Sequence, residues 1–220
     1  MKVIAKLHYI THPTSHLSTL EQVKMVTAAG VEWIQFRRKD LTDSAFRQEA
    51  SLSMNLAKAN KATFIINDRV FVAQELEADG VHLGNEDMNP MKAREILGDD
   101  KIIGCTANTF DDILRLSLLP IDYIGLGPYR HTPTKTKLSP ILGLSGYLDI
   151  LQKMADHNIS IPIIAIGGIL LNDLTALFNT GIHGIALSGA ITSSDSPQTL
   201  CNNILKEIER TYDTNIKDCR

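Results

Sequence analysis

Residues 179–189 read Asn179-Thr180-Gly181-Ile182-His183-Gly184-Ile185-Ala186-Leu187-Ser188-Gly189, and the same local grammar occurs twice before it. Ala28-Ala29-Gly30-Val31-Glu32-Trp33-Ile34-Gln35 and Glu77-Ala78-Asp79-Gly80-Val81-His82-Leu83-Gly84 also run from a helical stretch through a glycine into a short apolar segment. Such a unit reads as a helix ended by a glycine C-cap and followed by a strand. Working outward, apolar runs recur at 7–11, 33–37, 63–67, 80–83, 102–105, 123–127, 163–167 and 184–187. They are too short for independent helices and rich in Ile, Val and aromatics, which suits strands buried on both faces of a parallel sheet. Between them, 20–29, 43–59, 111–118, 145–154 and 193–212 place apolar residues at helical spacing. Strands alternating with helices, with no break in composition, predict an α/β fold: one (β/α)8 TIM barrel domain over 1–220. An open doubly wound sheet is the alternative.

Composition bounds the function. The chain has 220 residues, 44% hydrophobic and 21% charged, a balance that suits a soluble globular protein. A formal net charge of -3 gives no global pull toward nucleic acid or an anionic membrane, so any anion site must be local. The cysteines, Cys105, Cys201 and Cys219, are odd in number and lack metal-ligand spacing, which argues for reduced thiols rather than disulfides or structural zinc. With no long apolar run, the expected location is the cytoplasm; the sequence leaves a homo-oligomer open.

In a barrel the carboxyl ends of the strands build the active site. The second run ends Gln35-Phe36-Arg37-Arg38-Lys39, and alternation sends Gln35, Arg37 and Lys39 to one side. A guanidinium and an ammonium there suit phosphate, although a solvated basic loop reads equally well. Asn67-Asp68 and Asp87 close the third and fourth runs. Paired carboxylates of this kind suit Mg²⁺ bridged to substrate phosphates; for either one alone, a helix N-cap is the plainer reading. Thr106 and Asn108 end the fifth run, Thr109 looks like a cap, and Thr132-Pro133-Thr134-Lys135 follows the sixth. Gly167-Gly168 ends the seventh and Ser188-Gly189 the eighth, where bare backbone N–H groups can approach a phosphate. His82 reads as a satisfied core residue and His183 as structural. Two anion sites at one mouth suggest the joining of two phosphorylated small molecules.

Taken in order, Gln35-x-Arg37-x-Lys39, Ile66-Asn67-Asp68-Arg69, Asp79-Gly80-Val81-His82-Leu83-Gly84-x-Glu86-Asp87, Tyr123-Ile124-Gly125-Leu126-Gly127-Pro128, Thr132-Pro133-Thr134-Lys135 and Ile166-Gly167-Gly168-Ile169 resemble the thiamine-phosphate synthase family. The resemblance implies a transferase that joins 4-amino-2-methyl-5-hydroxymethylpyrimidine diphosphate to a hydroxyethylthiazole phosphate, or its carboxylated form, releasing pyrophosphate. It implies that Gln35, Arg37, Lys39 and Asn67 hold the pyrimidine diphosphate and that Asp68 and Asp87 bind Mg²⁺. Thr106 and Lys135 would contact the diphosphate, with Arg37, Thr106 and Lys135 serving catalysis. Thr132 and Thr134 would touch the thiazole, and Gly168, Ser188 and Gly189 would seat its phosphate. The chain departs from the family pattern at Thr106 (usually serine), Asn108 (often histidine), Arg38 (often acidic) and His12 (often aspartate). A thiazole tautomerase barrel and a non-catalytic ligand-binding regulator are the rival readings.

Overall fold

The computed structural model describes residues 2–131 and 140–218, with 212–218 described by backbone alone. Eight strands, β1 (Leu7–Ile10), β2 (Trp33–Phe36), β3 (Thr63–Asn67), β4 (Gly80–Leu83), β5 (Ile102–Ala107), β6 (Tyr123–Leu126), β7 (Ile163–Ile166) and β8 (Gly184–Leu187), form a closed barrel in sequence order. Every neighbouring pair is parallel, and β8 returns to β1 with Leu7 opposite Ile185. The closed sheet bears out the barrel and excludes the open alternative.

The helices are α1 (Thr19–Ala28), α2 (Asp43–Ala59), α3 (Val70–Glu75), α4 (Pro90–Leu97), α5 (Phe110–Leu116), α6 (Gly143–Asp156), α7 (Leu174–Phe178), α8 (Gly189–Thr192) and α9 (Pro197–Asp218). Local chemistry sets several of their starts. Ser18 and Glu21 form a capping box on α1, Thr109 and Asp112 form one on α5, and Asn89 caps α4 just before Pro90. The helix expected over 193–212 is present as α9 but starts later, at Pro197. A turn through Ser193–Ser196 separates α8 from α9, and proline at the first position of α9 starts the new helix with no N–H to lose.

The repeated glycine has more than one job. Gly30 and Gly181 follow α1 and α7 with φ of +86° and +94°, as a helix end requires. Gly80 does not end a helix: it lies within β4, and Glu77 takes the positive φ after α3. A Cβ on Gly80 would meet the Ile102 carbonyl oxygen at 2.1 Å, so glycine is there for strand contact.

Two cores result. Ile10, Trp33, Ile65, Ile102, Tyr123 and Ile164 pack inside the barrel, while the other strand faces pack on the helices. Inside, His8 stacks on Trp33 with ring centroids 4.2 Å apart, and Tyr123 meets both rings edge-on. Each fully buried large side chain contributes roughly 1.5–3 kcal/mol. The interior is thus a filled plug, and open chemistry is confined to the rim.

Candidate active site

On β2, the alternation works as expected. Gln35 is 4% exposed and shares the interior face with Trp33, whereas Phe36 packs outward against Phe46 and Phe64. Arg38 also turns outward, to Asp40, Glu49 and Thr19, so it ties the rim to α1 and α2. The Arg37 N–H donates to Thr11 Oγ1 at 2.8 Å, and its guanidinium bears on His12. Lys39 reaches across to Asp68, Nζ to Oδ2, at 3.9 Å.

Asp68 is the strained residue of the rim. Its φ is +61°, a left-handed conformation that costs a non-glycine residue roughly 1–2 kcal/mol, least for Asn and Asp. Its N–H donates to the His82 carbonyl, extending the β3–β4 ladder into the strained turn. Burial lifts its carboxyl above the usual carboxylate range and the Asp87 charge adds to that rise, against Lys39, Arg69 and a hydrogen bond from Asn67. Asp87 Oδ2 accepts from the Gly84 N–H at 2.6 Å. Neither aspartate caps a helix: the N-cap residues of α3 and α4 are Arg69 and Asn89. The plainer reading of both is therefore removed, and the Asp87 charge is near enough to bear on Asp68.

On β5, Thr106 Oγ1 lies 3.0 Å from His82 Nε2. Asn108 is committed elsewhere, its amide donating to the Gly127 carbonyl, and Thr109 caps α5. Cys105 and Cys201 are buried free thiols, and burial pushes Cys105 up to about 12, so it is no ready nucleophile.

Across the mouth, Gly167 and Gly168 have φ of +96° and +69°. A Cβ on Gly168 would crowd Arg130 Cβ at 2.9 Å and the His131 carbonyl at 3.1 Å. A Cβ on Gly189 would meet nothing within 4 Å, so the start of α8 faces open space. Ser188 Oγ donates to the Ile10 carbonyl and contacts His12, so its hydroxyl is engaged within the protein. Arg130 bonds the Gly168 carbonyl and both oxygens of Asp173, fixing the segment after β6 against the end of β7. Leu142 and Gly143 donate to Pro128 and Tyr129 close by, so the chain leaves and returns at this corner of the mouth. Thr132, Thr134 and Lys135 lie outside the described residues. His12 was given no role from the sequence; it touches Ser188 on one side and feels the Arg37 charge on the other.

The profile of the thiamine monophosphate synthase family matches residues 7–191. The chain belongs to that family. It is 47% identical over 203 residues to a thiamine-phosphate synthase of Flavobacterium johnsoniae, covering 92% of this chain and 96% of the relative. It is 45% identical over 199 residues to one from Bacteroides fragilis, covering 90% and 98%. Among solved structures it resembles a thiamine phosphate pyrophosphorylase from Pyrococcus furiosus, with TM-score 0.83 and 29% identity over 94% of this chain and 96% of that one. The chain is accordingly an enzyme of the transferase class. Among the described residues no helix is long and apolar enough to cross a membrane.

Proposed function

We propose that the mouth joins an aminopyrimidine methyl diphosphate to a thiazole phosphate, giving thiamine phosphate and pyrophosphate. The observation that carries this reading is the Asp87 charge bearing on the half-buried Asp68 carboxyl, which also pairs with Lys39 at the ends of β2 and β3.

The acidic pair fits Mg²⁺. A carboxylate destabilised as an anion by burial and by a neighbouring carboxylate charge is relieved by a divalent cation. Among the described residues no group of three or more His, Cys, Asp and Glu could hold a metal. A pair of carboxylates suits Mg²⁺, which keeps waters and takes phosphate oxygens for its remaining positions. When bound, Mg²⁺ supplies charge neutralisation to the departing pyrophosphate.

The residues do the rest. Arg37 and Lys39 hold the diphosphate, with Lys135 as a third cation, and stabilise the negative charge that grows as the C–O bond breaks. Gln35 and Asn67 orient the pyrimidine end, and Thr106 donates to the diphosphate. The C–O electron pair leaves with pyrophosphate, and the amino-substituted ring bears the resulting methylene cation. The thiazole nitrogen lone pair then forms the C–N bond. Gly168, Ser188 and Gly189 seat the thiazole's phosphate on main-chain N–H groups, and Thr132 and Thr134 touch its ring. Positioning and preorganised charge carry the rate, with no protein nucleophile. A cytoplasmic enzyme acting on small phosphorylated substrates is consistent with the modest net charge.

The test is an assay of pyrophosphate release by the purified protein with pyrimidine diphosphate, thiazole phosphate and Mg²⁺. Release should require all three. Turnover of a thiazole tautomer alone, or tight binding without turnover, would replace the proposal by a tautomerase or a regulator.

A further inference from the structure

His82 and Tyr123 lie in the barrel beneath Thr106, and the reaction as proposed uses neither. They are 9% and 1% exposed. Two glycines make room for them. A Cβ on Gly104 would lie 2.1 Å from Tyr123 Cζ, and one on Gly125 would lie 3.0 Å from His82 Cε1. Four polar groups form one file. The Gln35 side chain bonds the Tyr123 hydroxyl, that hydroxyl lies 3.0 Å from His82 Nδ1, and His82 Nε2 lies 3.0 Å from Thr106 Oγ1.

We infer that this file is a one-way relay in which Gln35, Tyr123 and His82 hold the Thr106 hydroxyl hydrogen outward, toward the diphosphate. Tyr123 and His82 are thus positioning residues for Thr106; the inference rests on the synthase reading above. Its logic is a count of hydrogens. A hydroxyl has one, a neutral imidazole carries one N–H, and diphosphate oxygens only accept. When Thr106 gives its single hydrogen to the diphosphate, it must accept from His82, so Nε2 bears the proton. Nδ1 is then a lone pair and takes the Tyr123 hydrogen. Tyr123, having spent its own, accepts from the Gln35 amide. Running the file backward would turn the Thr106 hydrogen inward and present a lone pair to an anion. Burial pushes the Tyr123 phenol far above its ordinary range, which keeps it an O–H donor.

The direct test is ¹⁵N NMR of the His82 ring in the full chain with Mg²⁺ and inorganic pyrophosphate as the acceptor-only probe. The wild type should show the neutral Nε2–H tautomer, and Tyr123→Phe should lose that single tautomer while keeping the ring in place. An Nδ1–H ring in the wild type, or no change in Tyr123→Phe, overturns the relay. This readout does not require turnover, so it stands apart from failure of the synthase assay. Kinetics give a second readout. Tyr123→Phe and Thr106→Val should each lower kcat about tenfold, the effect of one hydrogen bond, with less than about a threefold change in KM. The double variant should be no slower than Thr106→Val. Fully additive losses in the double variant would mean that Tyr123 acts on packing alone and would sink the relay.

Discussion

Ser188 Oγ lies 2.6 Å from the Ile10 carbonyl oxygen and 2.8 Å from His12 Nδ1. A carbonyl only accepts, so the single hydroxyl hydrogen goes to Ile10 and the His12 ring donates to Ser188. The hydroxyl is therefore spent within the protein, beside an α8 start that stands open at Gly189.

That division of labour separates two substitutions. Ser188→Ala removes the hydroxyl from the Ile10 carbonyl and the half-exposed His12 ring and should cost about 1 kcal/mol of stability while changing KM for the thiazole phosphate little. Gly189→Ala should do the reverse. The new methyl meets no protein atom and favours the helix by up to about 1 kcal/mol, but it stands where the phosphate must approach. Melting curves and KM for the thiazole phosphate check both. A large KM rise in Ser188→Ala with unchanged Gly189→Ala would relocate the phosphate site.

Asp68 allows its charge to be tested without disturbing its backbone. Asparagine tolerates the left-handed φ of +61° almost as well as aspartate does. Asp68→Asn should therefore fold as the wild type does, or more stably, because the repulsion with Asp87 is gone. Activity at saturating Mg²⁺ should fall by a factor on the order of 10² or more. A Mg²⁺ titration of rate in Asp68→Asn and Asp87→Asn provides the measurement. Near-normal rates in both would remove the metal from these residues.

His8 makes the fold acid-sensitive. Its ring is fully buried, and burial holds its pKa well below the ordinary imidazole value, with the charges of His82 and His183 adding to the drop. An unfolded imidazole takes a proton below about pH 6.5, which the folded ring refuses. Stability is then complete above that pH and is lost as pH falls from it toward the folded pKa, at up to about 1.4 kcal/mol per pH unit. His12 and His183, also lowered by burial, add in the same direction. Tm measured between pH 7 and pH 5 should fall, and His8→Phe should flatten that slope while keeping a ring on Trp33. An equally steep slope in His8→Phe would clear His8 of the effect.

Apolar runs at 33–37, 63–67 and 184–187, set between helical stretches, were enough to determine a parallel barrel, because strands buried on both faces must be apolar throughout. Strand alternation likewise put Gln35 inside and Arg38 outside, and the ordered motifs marked the family. The interior file from Gln35 to Thr106 was not legible, since Tyr123 and His82 lie 41 residues apart and become partners only when β4, β5 and β6 close side by side. The same holds for Ser188 and His12, which meet because β8 returns to β1. Helix ends were read less well: Glu77, rather than a glycine, turns the chain after α3, and the last helix starts at Pro197 rather than at 193. Periodicity and motif order are local properties of the chain. Hydrogen-bond partners and opposed charges depend on distances across the barrel, and only the tertiary structure decides those.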